Sequence, residues 1–363
     1  MRPIPGKPYD DRMLSRGGRA LSLAAAAAAA LAVAAALSSM ATAPRAAASL
    51  TLEVAPVPLD ASDPSRTAVG PLRYLGGLSL SSADARFGGL SDLRVSPDGA
   101  RLFAVSDCGY GLTASLSYDG GGRLTGVADA RLVELTGPTG DPLGMAESDA
   151  ESLVLGERLE VGFEGRARVQ SYAAEPPFGG PAGPLPFPAG VSQCGRNGGL
   201  ETMTDTGDGR RLLVCETRRA ASSTVPAWVG RGGEWAARDY PLAFDGGWAG
   251  EPFRPTGATR LPEGDLLLVE RRFPPIGARI VRLARSSLEG TGPLETREIA
   301  RFESPLTLDN FEGVEARRDA SGRTLVYLLS DDNGCAKTSG SSRSSLQRSG
   351  VQRTLLLLFA LEG

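Results

Sequence analysis

The stretch that decides the fold runs from residue 199 to 216, GLETMTDTGDGRRLLVCE. A glycine and an acidic residue open it, Gly207-Asp208-Gly209 turns the chain, and Leu212-Leu213-Val214-Cys215 returns to Glu216. Two short runs of β-forming residues around a Gly-Asp-Gly turn read as a β-hairpin. The pattern recurs four more times. Gly89-Leu90-Ser91-Asp92-Leu93 turns at Pro97-Asp98-Gly99 and ends at Ser106-Asp107. Asp149-Ala150-Glu151-Ser152-Leu153 ends at Phe163-Glu164, and Thr256-Gly257-Ala258-Thr259 turns at Glu263-Gly264-Asp265 and ends at Val269-Glu270. Phe311-Glu312-Gly313-Val314-Glu315 turns at Ala320-Ser321-Gly322 and ends at Ser330-Asp331.

With Leu90, Glu151, Glu201, Gly257 and Glu312 as markers, the steps are 61, 50, 56 and 55 residues. A unit of that length holds about four strands, which is one blade of a β-propeller. Each hairpin supplies the two inner strands, and runs such as 112–118, 168–173, 234–244, 279–283 and 296–302 supply outer ones. An array of β-sandwiches is the alternative. Residues 72–80 and 353–361 are strand-like and lie near the two ends of the domain. Sharing one blade, they would close the ring and remove its exposed edge. Dividing the stretch 70–361 by about 50 residues per blade predicts an all-β propeller of about six blades, with five or seven as neighbours.

The flanks read differently. Arg16 and Arg19 precede an uncharged, alanine-rich run at 21–37, and Ala46-Ala47-Ala48 fits an A-x-A cleavage site before Ser49. That is the layout of a secretory signal peptide over residues 1–48; a retained anchor would be short for a bilayer span. Residues 49–70 carry Pro56, Pro58 and Pro64 and read as an extended leader. Residues 71–363 form the propeller, with a Pro/Gly loop at 175–190 and a Ser-rich insertion at 334–350. Removing 1–48 takes away six basic and two acidic residues, leaving 33 basic, 40 acidic and a net charge of −7. This balance argues against nucleic-acid binding. The expected protein is periplasmic or secreted, a monomer, with no stable membrane insertion after cleavage.

Four cysteines in an exported chain allow two disulfides and three connectivities. Cys108 follows Asp107 in the first blade and Cys335 lies just after Asp331 in the last, so a Cys108–Cys335 bridge across neighbouring blades is expected, with Cys194–Cys215 as the second pair. Cys215 as a buried thiol is the alternative.

The motifs resemble those of the phytase-like family, described by an esterase-like activity of phytase. The carriers are Phe87-Gly88-Gly89-Leu90-Ser91, Ser106-Asp107, Asp149-Ala150-Glu151, Asn197-Gly198-Gly199-Leu200-Glu201, Leu268-Val269-Glu270-Arg271, Asn310-Phe311-Glu312-Gly313, Ser330-Asp331-Asp332-Asn333 and Gln352-Arg353-Thr354. The resemblance spans roughly residues 72–361. It implies a propeller, an exported location, and hydrolysis of phosphate or other esters in the manner of calcium-dependent propeller phytases. The Ser-rich insertion departs from the family pattern next to Asp331 and Asp332.

The chain contains no histidine, which excludes a Ser-His-Asp triad and histidine-ligated zinc. Chemistry here rests on carboxylates. Equivalent positions of successive blades converge on the axis, so Asp107, Glu164, Glu216, Glu270 and Asp331 form one set, and Asp92, Glu151, Glu201 and Glu312 another. Crowded carboxylates favour a cation among them, and oxygen-only ligands favour calcium. The expected metal ligands are Asp107, Asp149, Glu151, Glu201, Glu216, Glu270, Glu312 and Asp331. Glu201 and Glu312 are the expected catalytic acids, with Arg196 and Arg271 orienting a small-molecule ester or phosphoester. The competing readings are a non-catalytic propeller that binds a ligand or protein, and a lactonase-like hydrolase; acidic residues at strand ends also cap turns.

Overall fold

The computed structural model describes residues 47–195, 199–217, 222–245, 250–273, 276–334 and 352–362. Most of the expected signal peptide, Arg196, Cys335 and the Ser-rich stretch after Gly334 lie outside the described residues.

Five antiparallel sheets form a β-propeller. Blade 1 runs outward from Leu90–Val95 through Arg101–Ser106 and Tyr110–Tyr118 to Leu124–Glu134, with Ala48–Ser49 on its outer edge. Blade 2 contains Ala150–Leu155, Arg158–Phe163, Arg168–Ala173 and Gly183–Leu185, and blade 3 Thr202–Asp205, Arg211–Val214, Thr224–Arg231 and Glu234–Pro241. Blade 4 contains Arg254–Arg260, Leu266–Arg272, Gly277–Leu283 and Thr296–Phe302. Blade 5 starts at Asn310–Arg318 and continues through Thr324–Asp331 and Thr354–Leu361 to Leu72–Ser81 and Glu53–Pro56.

The expected count of about six blades is therefore corrected to five. Each hairpin repeat is one blade, and the steps between repeats exceed the assumed 50 residues in three of four cases. The surplus sits in connections such as 135–149 and 303–309, which cross the rim between blades. Residues 72–81 are not the start of a further blade. They pair with Thr354–Leu361 in the last one, with Leu78 opposite Leu356 and Leu72 opposite Leu361. The proline-bearing stretch 49–70 is used as edge: Glu53–Pro56 pairs with Leu72–Ser81, and Leu50 donates to the Ala130 carbonyl of blade 1.

The core lies between neighbouring blades. Leu93, Leu102, Leu329 and Leu356 fill the seam of blades 5 and 1, and Val105, Leu153, Val161 and Phe163 that of blades 1 and 2. Such strands, covered on both faces, read as continuous apolar runs, as in 355–360. No helix among the described residues is long and apolar enough to cross a membrane.

The inner strands approach closely enough to require glycine. A Cβ on Gly257 would stand 2.1 Å from the Glu312 carbonyl oxygen, so the strand of blade 4 meets that of blade 5 backbone to side. Gly257→Ala is expected to destabilise the protein by about 1–3 kcal/mol, as overpacking does, and to lower Tm by several degrees. Gly120→Ala, which faces open space, should leave Tm unchanged. Thermal melts followed by circular dichroism compare the two, and equal melting temperatures would rule the close approach out.

Candidate functional site

One irregularity repeats at the head of the inner hairpins. In blade 1, Leu90 pairs with Ser106 and Asp92 with Val105, so Ser91 is the extra residue. The same one-residue shift singles out Glu151 in blade 2, Thr256 in blade 4 and Glu312 in blade 5. Glu201 holds the corresponding place in blade 3, just before the paired Thr202. A β-bulge leaves its extra residue out of the ladder and re-aims the side chain. At four of the five blades it does so beside the end of the second strand, where Asp107, Glu164, Arg271 and Asp331 follow the paired residues Ser106, Phe163, Glu270 and Ser330. Glu216 takes that position in blade 3.

This register corrects one expected ligand. Glu270 lies one residue too early and faces the other way. It is fully buried, accepts a hydrogen bond from the Tyr240 hydroxyl at 2.5 Å and pairs with Arg279. Arg271 occupies the rim position instead. It sets Nη2 3.2 Å from both Glu216 and Glu312. Asp92 is likewise one residue past the bulge and faces deeper into the channel, where it pairs with Arg94.

Asp107, Asp149, Glu151, Glu201, Glu216, Glu312 and Asp331 come together at the mouth, joined by Glu164 and Asp332. Backbone contacts fix the arrangement. The Asp107, Glu164 and Glu216 amides donate to the carbonyls of Gly89, Asp149 and Gly199. Glu164 accepts from the Gly199 amide at 2.8 Å, and Asp332 from the Gly89 amide at 2.9 Å. Asn310 donates to Glu312 at 2.8 Å, and the Asn333 amide to Asp331 at 2.7 Å. Gly89 has φ +61°, and a Cβ there would fall 1.9 Å from an Asp107 carboxylate oxygen, so only glycine fits. Cys194 is bonded to Cys215, which anchors the strand end next to Glu216. Cys108 is also disulfide-bonded; its expected partner Cys335 lies outside the described residues.

Burial and mutual repulsion dominate the electrostatics. Desolvation, then the charges of Glu312, Asp149 and Asp332, raise Asp107 to about 8. Glu312 rises to about 7 through desolvation, against the pull of Arg271. Glu151, Glu201 and Asp331 are pushed well above the ordinary carboxylate range by burial first and by neighbouring acids second. Burial opposes the charge on Arg271, and Glu312 and Glu216 hold it raised.

Two observations fit a cation. One oxygen each of Asp149, Glu151 and Glu164 lie within 4.8 Å of one another. One oxygen of Asp107 is buried with no hydrogen-bond partner among the described residues. An oxygen-only donor set suits a hard ion such as calcium. Sequence reasoning placed most of these residues but missed the part Asp332 plays at Gly89, although it named the motif. It also missed Arg94, whose one signal is a charge inside the apolar run Leu93-Arg94-Val95.

A family model described as "Phytase-like: Esterase-like activity of phytase" matches residues 85–334, and the chain belongs to that family. No curated protein matches the chain. Among solved structures, the chain is similar to one titled "Structure of U3-55K", at 12% identity and TM-score 0.39, covering 83% of this chain and 99% of that one. A luciferin-regenerating enzyme is similar at 10% identity and TM-score 0.37, covering 77% and 96%. A nidogen/laminin complex is similar at 14% identity and TM-score 0.35, covering 62% and 72%.

The raised carboxyls set a pH dependence. With Asp107 near 8 and Glu312 near 7 when folded, against ordinary values of 3.8 and 4.5, the folded state holds protons that the unfolded chain has released. Stability therefore falls as pH rises through the window from about 4 to 8. In chelating buffer, Tm is expected to drop by about 5 °C or more between pH 5 and pH 8. Calorimetry measures it, and a Tm that climbs over this interval contradicts the crowding.

Proposed function

We propose that this phytase-like propeller is an exported, calcium-assisted hydrolase of phosphate or other esters, acting at the acidic mouth. The observation that carries the reading is the convergence of Asp149, Glu151 and Glu164 beside the partnerless oxygen of Asp107. The family description supports ester hydrolysis as the kind of reaction. The bonded cysteines and the signal-like run at 1–48 support export. The pairing of the chain's first long strand with its last is read as the joint that closes the ring.

The residues divide the work as follows. Asp149, Glu151 and Glu164 would hold the cation, with Asp107, Glu216 and Asp331 completing an acidic wall. Calcium, when bound, supplies Lewis-acid polarisation of a phosphoryl or carbonyl oxygen. Glu312, raised to about 7, is suited to take up and return a proton near neutral pH. Glu201, buried among acids, holds the second proton. Arg271 presents a cation to the developing oxyanion while Glu216 and Glu312 hold it in place. With no imidazole in the chain, these acids are the proton carriers available at this pH.

Dialysis against a chelator is expected to abolish turnover of 4-nitrophenyl phosphate or 4-nitrophenyl acetate, and added calcium to restore it. Glu312→Gln should lower kcat at least about 100-fold, and Glu201→Gln should do the same. Turnover indifferent to chelation would overturn the metal reading; no turnover on a broad ester panel, with or without calcium, would leave a binding platform instead.

A further inference from the structure

One layer beneath the acids, a single side chain reaches across the channel. Arg94 is 5% exposed and its partner Asp92 1%. Nη1 of Arg94 donates to Asp92 at 2.9 Å, to its neighbour's carbonyl at Leu93 at 2.5 Å and to the carbonyl of Val314 at 3.3 Å. Nη2 donates to the carbonyls of Met203 at 3.2 Å and Ala258 at 3.1 Å. The other oxygen of Asp92 accepts from the Leu153 amide at 2.8 Å.

These five backbone partners share one register. Leu93, Leu153, Met203, Ala258 and Val314 each stand two residues after the rim residue of their blade, namely Ser91, Glu151, Glu201, Thr256 and Glu312. The pair thus holds every inner strand at the same height, about 7 Å below the rim at the rise of a β-strand. A carbonyl two residues from a bulge cannot move without moving the bulge. The planar guanidinium spreads its donors in a fixed fork, so its reach fixes how far apart the strands stand.

We propose that Asp92 and Arg94 are positioning residues, a cross-channel clamp that sets the spacing of the rim positions on all five blades and through it the affinity of the rim carboxylates for a divalent cation. The cation half of this rests on the reading of the mouth given above; the spacing half does not.

The experiment uses the full mature chain with Arg94→Lys, which keeps the charge but loses the fork, and Asp92→Asn, which keeps the shape and removes the carboxylate paired with Nη1, leaving Glu315 3.7 Å from Nε. Should Arg94→Lys not fold, Asp92→Asn alone answers. Hydrogen exchange in chelator reads the spacing. The expected result is exchange at least threefold faster in rim peptides of all five blades, including those covering 149–164, 199–216 and 310–331. Faster exchange confined to residues 90–107 overturns the proposal, since a local structural pair would give that. Calcium titration by calorimetry reads the consequence, with Kd expected to weaken at least tenfold in a variant that still melts cooperatively. Ring-wide loosening with a Kd within twofold of wild type also overturns it. If the wild type takes up no calcium, the cation reading of the mouth fails, and hydrogen exchange alone decides the clamp.

Discussion

Carboxylates gathered at the axis of a ring repel one another where water cannot screen them. At an effective dielectric near 20, two unit charges 5 Å apart cost about 3 kcal/mol, and a domain is stable by only about 5–15 kcal/mol in total. The mouth of this propeller holds Asp107, Asp149, Glu151, Glu164, Glu201, Glu216, Glu312, Asp331 and Asp332 around Arg271. Such a set cannot stay fully ionised unaided. Protons relieve it, as the raised values of Asp107 and Glu312 record, or a cation does. Either way the fold must tolerate the strain of assembling the group, and much of the inner architecture bears on that.

The assembly is made with very local devices. A one-residue bulge turns a side chain that would otherwise alternate into the sheet packing, and it does so at the same height in four blades. One residue beyond the pair that flanks the bulge, the second strand then sets Asp107, Glu164 or Asp331 beside it, and Arg271 in blade 4. Gly89 lets Asp107 sit against the backbone, and the amides of Gly89 and Gly199 each spend a hydrogen bond on a rim carboxylate. Below, Arg94 ties the strands that carry the bulges. Rim, bulge and floor form one layered unit, in which backbone register rather than side-chain packing sets the geometry.

This explains what the sequence made legible. Five hairpins with matching turns and acidic ends were readable, because a propeller writes each blade as a separate hydrophobic repeat. The blade count was not, because connections of unequal length inflate the repeat and the fourth strand of the last blade is borrowed from residues 72–81. Asp107, Glu216 and Asp331 were placed by their position at a strand end. Glu270 was misplaced by one residue: the apolar run of blade 4 ends at Val269, as the pattern required, but the ladder carries Glu270 into a pair with Pro255. A bulge has no composition of its own, so its register is invisible until the partner strand is known. Arg94 was hidden for a related reason, since the carbonyls of Met203, Ala258 and Val314 that it reaches lie on other blades, up to 220 residues away.

The treatment of charge elsewhere in the molecule sharpens the reading of the mouth. Away from it, buried acids pair with arginine, Glu315 sharing Arg94 with Asp92. Glu270 has Arg279 and the Tyr240 hydroxyl, Asp92 has Arg94, and in the turns Asp208 and Asp319 are closed by Arg210 and Arg323. At the mouth the acids outnumber arginine more heavily: Arg271 is set against Glu216 and Glu312 amid seven further carboxylates, and among the described residues an Asp107 oxygen is left without a donor although a glycine backbone lies against it. A chain that neutralises its acids with arginine at so many other sites has the means to do so here. That it leaves an excess of inward-facing oxygens at the axis, supported by bulges and a clamp, is what a site for an external positive charge requires and what a purely structural ring does not.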